Sequence, residues 1–197
     1  MIRFIDFHAH HVPESQDVVA VVDGRDTWGV HPWKADGDFV VPDLSEKMVI
    51  GECGLDALRG PSMDIQEEVF LQQIRLGEEL KKPLVIHCVK AFDRLLRLRR
   101  ELRPNMPWML HGFRGKPQQL RSLLDAGFFV SFGFRHNEES LRLCPLERLM
   151  LETDDEMRHI SILYNNMAAA RGITIATFCD EMAKNYVAFF QKEPCLT

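Results

Sequence analysis

No apolar run in this chain approaches the roughly 18 to 20 residues that cross a bilayer, so no membrane span is expected. The first residues pass straight into strand-like sequence, without the basic segment and apolar stretch of a secretory leader, and no signal peptide is expected either. Cysteine pairing is also missing. The five cysteines are odd in number, scattered and without a C-x-x-C spacing, which fits the reducing cytoplasm. Nor is there an excess of positive charge. The formal net charge of -5 argues against a protein that coats nucleic acid through a broad basic surface. It leaves room for a nuclease, because a pocket that holds divalent cations is itself lined with carboxylates and brings its own positive charge. Repeats, linkers and low-complexity segments are absent as well. A chain of 197 residues suffices for one well-buried core and is short for two, so a single domain over 1–197 is expected, with no obligatory protein partner.

What is present starts with Asp6-Phe7-His8-Ala9-His10-His11, at the end of the apolar run Ile2 to Phe7. Residues i and i+2 of an extended strand share a face, so His8 and His10 project together while His11 turns away. Further strands are expected over Val18–Val22, from Thr27 to His31, over Lys47–Glu52, from Pro83 to His87, over Trp108–His111, Phe128–Phe132 and Arg148–Leu151. Helices are expected from Asp64, capped by that residue with Glu67 three positions on, to Pro83, and then over Ala91–Arg103 and Pro117–Ala126. A short one falls within His136–Arg142, and two more, Glu156–Arg171 and Thr174–Phe190, close the chain.

Strands alternating with helices from Met48 onward indicate an α/β chain with a parallel sheet, and the number of strands suits a (β/α) barrel. Position decides for the barrel. His8 and His10, Glu52, His87, His111 and Asp154 fall at or just past the C-terminal ends of five different strands, the face on which such barrels build their sites. Four imidazoles and two carboxylates suit zinc, manganese or a similar divalent ion. Six such donors exceed what one ion takes, so two ions sharing Glu52 as a bridge are expected, and the chemistry of a two-metal site is hydrolysis. Taken singly, each residue has an ordinary alternative: a core histidine satisfied by a carbonyl, a glutamate paired with a lysine, an aspartate capping a helix. Jointly the alternatives require every one of these strands to end on a ligand type by accident. His31 is expected to line the pocket rather than to ligate. Cys53 and Cys88 read as packing residues, and His136 and His159 as exposed.

The pattern resembles the TatD-like metal-dependent deoxyribonucleases, within the wider amidohydrolase-like barrels. The motifs that carry this run in order through most of the chain: His8-Ala9-His10, Gly29-Val30-His31-Pro32, Gly51-Glu52-Cys53-Gly54-Leu55-Asp56, a helix with Gln66, Phe70 and Gln73, Pro83 to His87, His111-Gly112-Phe113-Arg114-Gly115, and Glu152-Thr153-Asp154. Asn185 before aromatic residues fits the last helix of that family. The resemblance implies that His8, His10 and Asp154 hold one ion, that His87 and His111 hold the other, and that Glu52 bridges. Asp154 would also orient or deprotonate the attacking water, so Glu52 and Asp154 are the catalytic candidates. The implied activity is hydrolysis of DNA phosphodiesters with magnesium, manganese or zinc.

The chain also departs from the family. An arginine usual two residues past the histidine of the fifth strand is replaced by Val89, with Lys90 beside it, and Arg114 stands where serine is usual. Lys90 and Arg114 are therefore candidates for the relocated phosphate contact. The helices expected after the first and second strands are missing, and the loop after Glu152-Thr153-Asp154 is replaced by Asp155-Glu156 and an immediate helix. Two extra acids there would repel a polyanion. Three readings follow: a two-metal phosphodiesterase acting on DNA or a small phosphoester, an ester or amide hydrolase on the same barrel, and a metal-binding scaffold without catalysis.

Overall fold

A computed structural model describes residues 3–194; Ile2, where the first apolar run begins, and Cys195 lie outside them. Eight strands are found among these residues: β1 Phe4–Ala9, β2 Val18–Val22, β3 Thr27–Trp28, β4 Val49–Asp56, β5 Leu84–Val89, β6 Trp108–Leu110, β7 Phe129–Phe132 and β8 Leu149–Leu151. Six α-helices accompany them: α1 Met63–Leu80, α2 Phe92–Leu102, α3 Pro117–Asp125, α4 Glu138–Leu143, α5 Ser161–Arg171 and α6 Ile175–Phe190. Every ladder is parallel. β3 to β8 form one six-stranded sheet in chain order, and β1 pairs with β2 in another. The two sheets meet where Ala9 bridges Asp154. There the His10 N–H donates to the Asp154 carbonyl and the Asp154 N–H to the His8 carbonyl, each at 3.0 Å. The result is a shortened (β/α) barrel with a seam between β2 and β3, which share no ladder among the described residues.

As the sequence predicts, no helix follows β1 or β2. From β4 to β8 each strand is followed by a helix; β4, β6, β7 and β8 are buried on both faces, whereas β5 is buried over its apolar start Leu84, Val85 and Ile86 and half-buried from His87 to Val89. Phe7, Phe70, Trp108, Phe132 and Phe178 are among the fully buried side chains of the core. No helix among the described residues is long and apolar enough to cross a membrane.

Three local expectations are corrected. α1 starts one residue earlier than Asp64, and its cap is Ser62, whose hydroxyl accepts from the Ile65 N–H. Asp64 and Glu67 instead pair with Arg94, and Glu67 with Arg97 as well, both from α2. The strand leading to His31 ends at Trp28, because His31 caps a short 3-10 turn over Pro32–Lys34. α5 begins at Ser161 rather than Glu156: Asp154 takes a left-handed φ of 56° and the Glu156 N–H folds back onto the Thr153 carbonyl, so the chain turns before it can coil.

The closure between β1 and β8 is tied by buried polar groups. The Asp6 carboxylate accepts from the Thr153 N–H at 3.0 Å and from its hydroxyl at 2.6 Å. The Tyr164 hydroxyl on α5 accepts from the Ile5 N–H (2.9 Å) and donates to the Ile5 carbonyl (2.8 Å). On α6 the Asn185 amide donates to the Leu146 and Leu149 carbonyls, both at 2.7 Å, and so holds the entry to β8. Each pairing removes a buried polar group from the unsatisfied state that would cost about 1–3 kcal/mol.

Candidate metal centre

The six residues singled out from the sequence converge on one point, and a seventh, His31, joins them. Glu52 stands at the centre. Its Oε1 lies 3.0 Å from His8 Nε2 and 3.1 Å from His10 Nε2. Its Oε2 lies 3.0 Å from His111 Nε2, 3.4 Å from His31 Nε2 and 3.7 Å from His87 Nδ1. Asp154 Oδ1 is 3.4 Å from His10 Nε2. His31 is thus nearer the centre than a pocket-lining role requires.

Backbone geometry explains the convergence. His8 and His10 flank the bridge to Asp154, so one pair of main-chain hydrogen bonds fixes three of the donors together. Gly54 lets β4 and β5 approach: a Cβ there would lie 2.1 Å from the His87 carbonyl oxygen, and its φ of +131° is one that side chains disfavour. The buried glutamines of α1 act as splints. Gln73 exchanges two hydrogen bonds with the main chain of Val30, beside His31. Gln66 does the same at Asp56, just past Glu52 on β4.

Two further carboxylates, which the sequence reading passed over, orient histidines of the cluster. Asp56 Oδ2 sits 3.1 Å from His87 Nε2, leaving Nδ1 to face Glu52. Glu152 is fully buried and accepts from the Gly112 N–H at 2.6 Å; its Oε1 is 3.6 Å from His111 Nδ1, leaving Nε2 for Glu52. A third, Asp23 at the end of β2, has a carboxylate oxygen within 4.8 Å of the donor atoms of His10 and Glu52. The i, i+2 rule that joined His8 to His10 also joins Glu152 to Asp154, and the strand-end rule points to Asp23. Both signals were available in the sequence.

Burial raises the proton affinity of Glu52, yet the imidazoles around it, His111 first, overcome this and hold its carboxyl far below the usual carboxylate range. In return His10 is pushed up to about 10 by Asp154 and Glu52. His111 also lies well above its ordinary value, the pull of Glu52 and Glu152 outweighing its burial. The buried carboxylate therefore demands positive charge beside it, which either protons on the imidazoles or a divalent cation can supply. The donors fit a cation: the triads His8/His10/Asp154, His8/Glu52/His111 and His31/Glu52/His87, all imidazole nitrogens and carboxylate oxygens, each bring their donor atoms within 4.8 Å of one another.

The cluster opens to both sides. Lys90 and Arg114 line a cleft of about 920 Å³ together with His87, His111 and Asp154. Arg114 also borders a second cleft of about 850 Å³ that contains His10, His31, Trp33 and Glu52. Cys53 is buried, whereas Cys88 packs on the core and also borders the first cleft. His11 is exposed, His159 is exposed with Nε2 3.3 Å from Asp17 Oδ1 and Nδ1 2.7 Å from the Ser161 hydroxyl, and His136 is half-buried with Nδ1 at 2.8 Å from the Gly133 carbonyl.

The family model described as TatD related DNase matches residues 5–191. The chain belongs to the TatD family. Among its relatives, an uncharacterized metal-dependent hydrolase, YcfH of Escherichia coli K12, is 37% identical over 141 residues, covering 64% of this chain and 53% of the relative. The 3'-5' ssDNA/RNA exonuclease TatD of Pantoea ananatis is 38% identical over 146 residues, covering 65% and 56%. The chain thus aligns with about half the length of these two relatives. The crystal structure of YJJV, a TatD homologue from Escherichia coli K12, superposes with a TM-score of 0.74 over 91% of this chain and 79% of that chain, at 18% identity. That likeness establishes the TatD barrel as the fold.

Proposed function

We propose that this TatD-family chain is a metal-dependent phosphodiesterase that hydrolyses nucleic acid, DNA in the first place. His8, His10 and Asp154 would hold one divalent ion and His87 and His111 a second, with Glu52 between them. The observation that carries the reading is a single buried carboxylate whose two oxygens face different histidines, Oε1 toward His8 and His10 and Oε2 toward His111, His31 and His87. Divalent ions bound there would neutralise phosphate charge and lower the pKa of water. Magnesium, manganese and zinc all remain candidates. Relatives described as a metal-dependent hydrolase and as a 3'-5' ssDNA/RNA exonuclease support the reaction class.

The chain's own groups supply the rest. Asp154 keeps its carboxyl below the ordinary range, because His10 and the neighbouring imidazoles outweigh its burial. It is therefore ionised at neutral pH and can accept a proton from the attacking water. Lys90 and Arg114, on the wall beside His87 and His111, are positioned to receive a phosphate. Asp155 and Glu156 line the adjoining space with Arg114, and their charge favours a short phosphoester over a long polyanion as the second reading.

The test is hydrolysis of single-stranded DNA, a chromogenic phosphodiester and simple carboxylic esters by purified protein titrated with each of the three metals. DNA cleavage that depends on metal and falls at least about 1000-fold in Glu52→Ala is the expected outcome. Turnover of esters alone, or metal binding with no turnover, would overturn the reading.

A further inference from the structure

Trp33 is a large aromatic residue 44% exposed in the same cleft as His10, His31 and Glu52. Its polar edge is fully engaged: the indole N–H donates to Asp56 Oδ2 at 2.6 Å, and that same oxygen lies 3.1 Å from His87 Nε2. The ring meets His31 and His87 edge-on, with centroids 4.5 and 5.7 Å away. Its backbone is pinned as well, since the Trp33 N–H donates to His31 Nδ1 at 3.2 Å. The loop after β4 packs tightly against this turn. A Cβ on Gly60 would meet the Pro32 carbonyl oxygen at 2.5 Å, and Gln66 holds the Arg59 carbonyl at 2.9 Å. The Arg59 guanidinium lies over the indole, 4.6 Å from its centre, and pairs with no carboxylate among the described residues.

We propose that Trp33 is a base-stacking platform, with Arg59 lying over its ring as a phosphate contact, that receives the unpaired terminal base of a single-stranded nucleic acid and sets its backbone against the Glu52 cluster. The inference rests on the phosphodiesterase reading and deepens it by naming the substrate end that is recognised. An aromatic face accepts every base, so it confers affinity for an unstacked base without sequence preference. A base inside a duplex is already stacked and cannot lie on it. Because the indole is held at both its N–H and its backbone, little conformational freedom is lost when a base lands. Arg59, stacked on the indole and without a carboxylate partner among the described residues, stays close to the ring and within reach of a phosphate. A volume of about 850 Å³ is ample for a nucleotide. Asp56 ties the platform to His87, so base and scissile phosphate are placed by one rigid unit.

Binding can be read without turnover. The wild-type protein, Trp33→Leu and Trp33→Phe are titrated with dAMP and with 2-deoxyribose 5-phosphate in magnesium, by calorimetry, with circular dichroism checking the fold. The wild type is expected to bind dAMP about 5- to 150-fold tighter than the sugar phosphate, the worth of one base–aromatic stack. Trp33→Leu should erase that preference, and Trp33→Phe, which keeps a ring but loses the N–H, should retain most of it. Equal affinities in the wild type, a preference that survives Trp33→Leu, or a Trp33→Phe as impaired as Trp33→Leu would overturn the proposal. The last result would mean that Trp33 acts only by positioning Asp56. A wild type that prefers dAMP yet cleaves no DNA with any metal would sink the hydrolase reading and leave the platform standing.

Discussion

Glu152 has no contact with solvent, and one of its oxygens, Oε2, finds no hydrogen-bond partner among the described residues. A buried carboxylate in that state is costly unless it serves an adjacent charge. Its neighbour is His111, and the pairing mirrors that of Asp56 with His87. Carboxylates that hold the remote nitrogen of a ligating imidazole fix its tautomer and aim, and losing one lowers metal affinity about 10- to 100-fold. Glu152→Gln keeps an acceptor for the Gly112 N–H, so it should remain folded while losing affinity in that range, measured by calorimetric titration with zinc or manganese. An unchanged affinity would assign Glu152 to the fold alone. The residues that meet at Glu52 were legible one by one, since strand ends and i, i+2 spacing single out His8, His10, Glu52, His87, His111 and Asp154. What stayed hidden was proximity between side chains on different strands: the approach of His31 to Glu52, and the sharing of Asp56 between His87 and Trp33, depend on ring orientations that no spacing encodes.

At the scale of elements, the closure of β1 on β8 rests on a few groups, and Asp6 is the one that titrates. Burial pushes its carboxyl up to about 7 from 3.8, against the pull of the Thr153 hydroxyl and N–H. Between those values the native chain keeps a proton that the unfolded chain has released. The associated stability is therefore full below pH 4 and is lost as pH rises through 7. The rise corresponds to on the order of 4 kcal/mol. Asp6→Asn keeps an acceptor for the Thr153 N–H and carries no charge, so its stability in urea should match the wild type near pH 4 and exceed it near pH 8, both in chelator. Parallel slopes with pH in the two proteins would show that Asp6 is not the titrating group. Element existence and order were readable from the apolar runs and the prolines. Boundaries were not, because they depend on competing hydrogen bonds: the Ser62 hydroxyl reaches the Ile65 N–H while Asp64 is drawn to Arg94, and the turn at Glu156 delays α5.

At the scale of the molecule, the barrel order could not be read because the missing helices remove the connections that usually dictate which strands neighbour each other. The structure shows the consequence: the sheet of β1 and β2 carries His8 and His10, the six-stranded sheet and its C-terminal edge carry Glu52, His87, His111 and Asp154, and the bridge at Ala9 is the only strand pairing between the sheets among the described residues. Ions bound by both sets would therefore fasten two sheets that the backbone joins weakly. At a hundredfold excess over the dissociation constant such binding adds about 2.7 kcal/mol, which for a chain of this size raises Tm by about 5–10 °C. The gain should be uneven. Amides of β1 and β2 should exchange more slowly once metal is bound, whereas those of β5 to β7, already deep in the ladder, should change little. Hydrogen exchange on the wild type and on Glu52→Ala, with and without metal, separates this from a general effect of ions. Protection spread evenly over the barrel, or a Tm gain as large without Glu52 as with it, would mean that the cluster does not couple the sheets. Protection confined to β1 and β2 and lost with Glu52 would make the metal a structural closure of the shortened barrel as well as the seat of its chemistry.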